Sequence, residues 1–137
     1  MNRREAGGFG SRARGETGAA PSEERRGKKP GADIAGVVSF HGGLDSPTPA
    51  DGKNIKARVL VLHGADDPYE SAQDIAAFQQ ELRDAKVDWQ MVYYSGAVHA
   101  FTQKMAGNDP TKGAACDERA DRRSWQAMRD FFAEIFR

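Results

Sequence analysis

Residues 58–68, RVLVLHGADDP, contain the strongest indication of the fold of this chain. Val59 to Leu62 is an unbroken aliphatic run that stops at His63 and Gly64. Such a run, without alternation of polar and apolar residues, is typical of a strand covered on both faces. The Asp-Asp-Pro sequence that follows is turn chemistry. We therefore predict a buried strand over Arg58–Leu62, followed by a loop rich in polar side chains.

Two similar runs flank the first one along the chain. Gly36–Phe40 (GVVSF) ends at a His-Gly-Gly sequence, and Trp89–Tyr94 (WQMVYY) ends at Ser-Gly. Helices are predicted over Ser71–Ala85, between the second and third strands, and over Glu118–Phe136 at the end. A strand, helix, strand order requires a crossover, which makes the strands parallel. The sequence therefore predicts an α/β fold of three parallel strands with flanking helices.

Local signals support both predicted helices. Ser71 followed by Asp74 resembles a capping box, with Asp in the place usually held by Glu or Gln. The apolar stripes of the two helices consist of Ile75, Phe78 and Leu82, and of Trp125, Met128, Phe132 and Ile135. Residues 44–56 are polar and contain proline and glycine, so they are predicted as a connection and not an element. Residues 99–117 are predicted as a second long loop.

The chain consists of two segments that differ in composition. Residues 1–30 carry eight basic residues against four glutamates and have neither helical nor strand periodicity. Such a segment buries too little apolar surface to offset its ordering entropy, so we predict a disordered, basic, Gly/Arg-rich segment. A nucleic-acid-binding arm is disfavoured because no aromatic residues are interleaved with the charges. Residues 31–137 are predicted to form one partial domain.

The whole-chain numbers restrict the classes of function. The formal net charge is zero over 137 residues, which favours neither nucleic acid nor a membrane surface as a partner. No apolar run approaches the ~20 residues that span a bilayer. The start of the chain lacks the hydrophobic segment of a secretory signal. The single cysteine, Cys116, cannot form an internal disulfide, and it predicts a reducing, cytoplasmic setting.

Polar residues after the predicted strands carry the chemistry. Asp66 and Asp67 follow the second strand, and His99 follows the third. Ligands of open parallel sheets bind beyond the carboxyl ends of the strands, so these residues share one rim. A carboxylate at position 67 would accept from one imidazole nitrogen of His99 and leave the other free for a proton. The sequence therefore predicts an Asp67–His99 pair, with a turn aspartate and a structural histidine as the open alternatives.

Most of the chain resembles the dienelactone hydrolase family of α/β-hydrolases. The matching segments are GADIAGVVSFHGGL (31–44), VLVLHGADDPYESAQDIAAFQQEL (59–82), WQMVYYSGAVHAFTQ (89–103) and NDPTKGAACDERADRRSWQAMRDFF (108–132). The G-x-x-D-P and G-A-x-H-x-F motifs make the resemblance specific, and it covers about residues 31–136. It implies the C-terminal half of an α/β-hydrolase, with Asp67 and His99 as acid and base of a Cys- or Ser-Asp-His triad. It also implies a small ester or lactone substrate, with no metal or organic cofactor.

The nucleophile that the resemblance implies is missing from its expected place. In this fold it precedes the acid and base on a strand-to-helix elbow, written approximately G-[YF]-C-x-G-G in the family. Residues 1–30 contain no cysteine and no G-x-S-x-G, and Ser11, the nearest approach, has Phe9 and Ala13 where the elbow needs glycine. We predict a hydrolase fragment, from a truncated or frame-disrupted product or a misassigned start, that is inactive alone. The alternative is a non-catalytic binding or regulatory partner of a full-length relative, with self-association through an exposed sheet edge.

Four residues are predicted to line the substrate pocket: His41, Gly42, Tyr69 and Phe101. The competing interpretations are a loop-packing histidine at position 41 and a surface turn at position 69. A metal site from the three histidines is disfavoured because no two have ligand spacing. Cys116 follows His99, which reverses the order of the fold, so it is interpreted as an incidental thiol and His63 as a structural residue.

Overall fold

The computed structural model describes residues 33–137, which form a three-stranded sheet between two helices. The elements are β1 (Gly36–Phe40), β2 (Arg58–Gly64), α1 (Ala72–Asp84), β3 (Trp89–Tyr94) and α2 (Glu118–Ile135). β2 lies in the middle and pairs in parallel with both neighbours. The predicted α/β class, parallel strands and flanking helices are confirmed. The prediction for residues 1–30 lies outside the described residues.

β2 is buried on both faces, as its unbroken aliphatic run predicts. Leu60 and Leu62 face the α2 layer, whereas Val59 and Val61 face the α1 layer. None of these four side chains is more than 1% exposed, and each such burial contributes roughly 1.5–3 kcal/mol. The strand continues two residues past its predicted end because Gly64 still pairs with Tyr94 of β3.

α1 begins at the predicted capping box. The Ser71 side chain accepts from the Asp74 N–H, and the Asp74 side chain accepts from the Ser71 N–H. These bonds satisfy two of the donors that a helix start leaves unpaired. Phe78 and Leu82 are buried against β2, with Ile75 packed beside them. The helix therefore covers one face of the sheet.

α2 covers the opposite face. Its start is capped by Asp117, whose side chain accepts from the Ala120 N–H at 2.8 Å. Met128 is buried against the sheet, and Trp125 packs on Phe40 of β1 with ring centroids 5.6 Å apart. Neither α2 nor any other helix within residues 33–137 is long and apolar enough to cross a bilayer.

The two long connections contain short 3-10 helices. Pro49–Asn54 lies in the first, and Lys104–Ala106 and Pro110–Lys112 lie in the second. Two of these short helices begin with proline. The fixed φ of proline suits the first helical position, and an N–H at that position would have no partner within the helix. The prediction that residues 44–56 contain no element was therefore wrong.

Candidate active site

Asp67 and His99 lie side by side beyond the carboxyl ends of β2 and β3. His99 Nδ1 is 2.9 Å from Asp67 Oδ2, the distance of a good N–H···O hydrogen bond. The Asp67 side chain is fully buried, whereas 29% of the His99 side chain is exposed. The structure thus brings the two residues into contact, with the carboxylate inside and the imidazole at the surface.

Close packing of two loops creates this neighbourhood. Gly64, at the end of β2, lies directly against the loop that follows β3. A Cβ atom at position 64 would lie 2.6 Å from the carbonyl oxygens of Ala97 and Val98. The contact continues at Asp66, whose N–H donates to the Ala97 carbonyl at 3.0 Å. This approach presses the loop that carries Asp67 against the loop that carries His99.

The His99 backbone is anchored on both sides. Its N–H donates to the Gly113 carbonyl at 3.2 Å, and its carbonyl accepts from the Ala115 N–H at 3.0 Å. These bonds form an isolated parallel bridge between His99 and Ala114. Ala100 then turns the chain with a φ of 59°, in the left-handed region. Because the backbone of His99 is fixed by these bonds, only its side-chain torsions remain free, and the contacts of the ring determine them.

The hydrogen bonds of the pair define the chemical role of each nitrogen. Asp67 Oδ2 accepts from His99 Nδ1, and Oδ1 accepts from the Tyr69 N–H at 2.9 Å. Because the carboxylate is the acceptor, Nδ1 of the neutral ring carries the proton and Nε2 keeps its lone pair. Within residues 33–137, the imidazole hydrogen-bonds only through Nδ1. The arrangement suits proton transfer to Nε2 from a thiol or hydroxyl.

His41 lies beside this pair at the end of β1. Its ring centroid is 5.5 Å from that of His99, and its Nε2 lies 2.8 Å from Thr102 Oγ1. Burial, followed by the charge of His99, lowers the pKa of His41 to about 4. The ring is therefore neutral near pH 7. Sequence reasoning missed Thr102, because no local pattern links residues that are 61 positions apart.

The other predicted pocket residues differ in their surroundings. Gly42 is buried. Phe101 has no exposed surface and packs against His41 with ring centroids 5.2 Å apart, so it supports that ring from the core. Tyr69 is 60% exposed, and its ring stands perpendicular to His99 at 5.2 Å between centroids. A pocket role for these residues stays a prediction.

Glu70 connects two loops at the same rim, and sequence reasoning missed it. Its Oε2 accepts from the Leu44 N–H at 3.2 Å, which ties the loop after β1 to the loop after β2. Partial burial raises the pKa of this carboxyl above its ordinary value, and the Leu44 N–H opposes that shift. The partner lies 26 residues away, so no motif could have indicated the contact.

The remaining candidates from the sequence are His63, Cys116 and Ser11. His63 is 2% exposed beside Tyr93, and burial lowers its pKa. Burial, followed by three nearby carboxylates, raises the pKa of Cys116, which disfavours a reactive thiolate. No group of three or more His, Cys, Asp or Glu side chains within residues 33–137 is placed to hold a metal ion. Ser11 lies outside the described residues.

Solved structures that this chain resembles include two dienelactone hydrolase-like proteins. One is a promiscuous phosphotriesterase from metagenomic libraries, 42% identical, with a TM-score of 0.68 over 76% of this chain and 44% of that chain. Another, m3DLH, is 40% identical, with a TM-score of 0.70 over 76% of this chain and 43% of that chain. This chain thus spans less than half the length of either protein.

A curated relative and the model of one protein family also match this chain. The uncharacterized protein K02A2.1 of Caenorhabditis elegans is 32% identical over 107 residues, which cover 75% of this chain and 66% of that protein. The profile of the dienelactone hydrolase family matches residues 27–136. The chain belongs to the dienelactone hydrolase family.

Proposed function

We propose that this chain carries the acid and base of a carboxylic ester or lactone hydrolase, with Asp67 as the acid and His99 as the base. The observation that carries the proposal is the 2.9 Å hydrogen bond between His99 Nδ1 and the buried carboxylate of Asp67. It leaves Nε2 of a partly exposed ring as a proton acceptor. Membership of a hydrolase family supports the same reaction class.

The proposed reaction is acyl transfer through a covalent intermediate. His99 Nε2 takes the proton of a thiol or hydroxyl nucleophile as that atom bonds to the ester carbonyl carbon. Asp67 stabilises the resulting imidazolium, which then gives its proton to the departing alcohol. A water molecule releases the acyl group in a second step, with the same base. The proposed chemistry uses neither a metal nor an organic cofactor.

We further propose that this chain alone turns over esters at the background rate. Its 137 residues contain one cysteine, Cys116, and no G-x-S-x-G sequence. Cys116 has a raised pKa, and Ser11 lacks the glycines that a strained elbow needs. Without a nucleophile a hydrolase of this type loses several orders of magnitude in rate. A cytoplasmic setting, which suits the single thiol, is part of the same proposal.

The description of one relative suggests a second class of substrate. The solved protein that is 42% identical to this chain is described as a promiscuous phosphotriesterase. Attack on phosphorus by a thiol or hydroxyl needs the same proton acceptor as attack on a carbonyl carbon. We therefore include phosphotriesters among the candidate substrates, after carboxylic esters and lactones.

The alternative proposal is a non-catalytic partner of a longer relative. It is supported by the missing nucleophile and by the pairing of β1, which among the strands of residues 33–137 contacts β2 alone. Size-exclusion chromatography with light scattering tests it on the full chain. A soluble complex of defined mass supports the partner role. Large aggregates support an inactive hydrolase fragment that self-associates through the unpaired edge of its sheet.

A chimera tests the acid–base assignment. In it, residues 33–137 of this chain replace the matching segment of the phosphotriesterase relative, whose remaining residues supply the rest of the fold. We expect the chimera to hydrolyse a p-nitrophenyl ester. Asp67→Asn and His99→Gln should each lower that rate by about 10²- to 10⁴-fold, because each disables proton transfer.

The matched control is Asp66→Asn, which removes a neighbouring exposed carboxylate. We expect this variant to keep the rate of the parent chimera. A folded chimera that hydrolyses the ester equally fast with Asn at position 67 would contradict the proposed role of Asp67. In the native chain, turnover above background that disappears in Ser11→Ala would contradict the proposed inactivity.

A further inference from the structure

One residue contacts both members of the acid–base pair. The Tyr69 N–H donates to Asp67 Oδ1 at 2.9 Å. The Tyr69 ring stands at 90° to the His99 imidazole, with 5.2 Å between centroids. We propose that Tyr69 is a positioning residue, whose backbone orients the carboxylate while its ring orients the imidazole. This inference rests on the proposed acid–base role of Asp67 and His99.

The contacts of Tyr69 belong to a closed circuit of four residues. Asp67 binds the Tyr69 N–H, and the Tyr69 side chain packs over Gly113. The Gly113 carbonyl accepts from the His99 N–H at 3.2 Å, and the His99 ring returns to Asp67. Each member is therefore held by two others, so the separation of acid and base depends on the whole circuit.

Gly113 shows how tightly the circuit closes. A Cβ atom there would lie 3.0 Å from Pro68 Cγ and 3.2 Å from Tyr69 Oη, and its φ is 82°. Any larger residue would strain the backbone and push the Pro68–Tyr69 turn outward. The loop that anchors the His99 backbone thus packs directly on the turn that orients Asp67.

Because Tyr69 is exposed, a role in positioning can be tested without disturbing the packing of the core. Tyr69 is 60% exposed, so truncating it leaves no buried cavity, and the variant should fold. The perpendicular arrangement of the rings is one that aromatic pairs favour. The Tyr69 ring contacts the imidazole whose Nδ1 is bonded to Asp67. Without this ring, we expect His99 to sample other rotamers and its Nδ1 proton to exchange with water faster.

The experiment uses the full chain labelled with ¹⁵N. The imidazole nitrogen shifts of His99 report its tautomer, and exchange of the Nδ1 proton with water reports the hydrogen bond to Asp67. We expect Tyr69→Ala to speed that exchange by roughly three- to tenfold, the range of one perpendicular aromatic contact. Tyr69→Phe keeps the ring and the backbone N–H, so it should restore the native exchange rate.

Tyr93→Ala is the matched control. Tyr93 is also exposed, and its ring stands at 88° to a different histidine, His63. This variant should move the signals of His63 and leave those of His99 unchanged. If Tyr69→Ala leaves the His99 exchange rate native, or if Tyr93→Ala changes it equally, Tyr69 does not position the pair.

The same spectra distinguish failure of this inference from failure of the proposed function. A native chain without a protonated, hydrogen-bonded Nδ1 at His99 would overturn the Asp67–His99 pairing, and with it both proposals. A native chain with that signature, which Asp67→Asn removes and Tyr69→Ala does not alter, would overturn the role of Tyr69 alone.

Discussion

At the scale of single residues, the contact between Asp67 and His99 depends on the absence of a side chain at position 64. Gly64 has no Cβ, and the carbonyl oxygens of Ala97 and Val98 occupy the space where one would lie. Asp67 follows three residues later, and its N–H donates back to the Gly64 carbonyl at 3.1 Å. The position of the carboxylate therefore depends on how closely the chain can pass at position 64.

Gly64→Ala should lower stability and loosen the pair. A methyl group 2.6 Å from two backbone oxygens cannot be accommodated without moving one of the loops. We expect the free energy of unfolding in urea to fall by about 1–3 kcal/mol, as in other overpacked sites. Gly43→Ala is the control, because its methyl group would lie 3.4 Å from its nearest neighbours. Equal effects of the two substitutions would contradict this explanation.

His41 should make stability depend on pH. Its folded pKa of about 4 lies below the ordinary 6.5, so between these values the unfolded chain binds a proton that the folded chain does not. The contribution is complete above about pH 6.5 and is lost as the pH falls towards 4, by about 3 kcal/mol at most.

Urea unfolding at a series of pH values measures this loss. His63, whose pKa is also lowered, and the carboxylates contribute to the slope in every variant. His41→Gln removes only the share of His41, so its stability should fall less steeply on acidification. Parallel curves for the two proteins would show that His41 is not the titrating group.

At the scale of elements, local signals predicted most boundaries. β1 and β3 have the predicted limits, and the predicted capping box begins α1. β2 extends past its predicted end because its last residues pair with β3, which depends on a contact between separate segments. The short helix Pro49–Asn54 was missed because its polar residues have the composition of a loop.

Ser71→Ala should destabilise α1. The Ser71 side chain accepts from the Asp74 N–H at 3.1 Å, and the Asp74 carboxylate accepts from the Ser71 N–H at 3.3 Å. Losing the cap should lower the free energy of unfolding by about 1 kcal/mol. Ser71→Thr keeps a hydroxyl acceptor and should retain most of the stability. An alanine variant as stable as the native chain would mean that water replaces the cap.

At the scale of the whole molecule, one strand belongs to two hydrophobic clusters. The cluster under α2 contains Leu60 and Leu62, and the cluster under α1 contains Val59 and Val61. Successive side chains of a strand point to opposite faces, so neither layer can lose its packing without exposing β2. The rim that carries Asp67 and His99 is built on the ends of these same strands.

The two tryptophans report the two layers separately. Trp125 packs in the α2 layer and Trp89 in the α1 layer. We expect Trp89→Phe and Trp125→Phe each to unfold in a single step, with the same urea midpoint by fluorescence and by circular dichroism. Fluorescence of one layer that changes before the circular dichroism signal would show that the layers unfold independently.

From the sequence alone, the order and type of the main elements and the parallel sheet could be predicted, and Asp67 and His99 could be placed at one rim as a candidate pair. These follow from side-chain periodicity, from turn residues, from short motifs and from the rule that parallel strands end at one rim. Only the tertiary structure decided the neighbours of the pair. Thr102 on His41, Glu70 on Leu44 and the Tyr69 ring on His99 depend on how separate loops pack, and no local pattern encodes that packing.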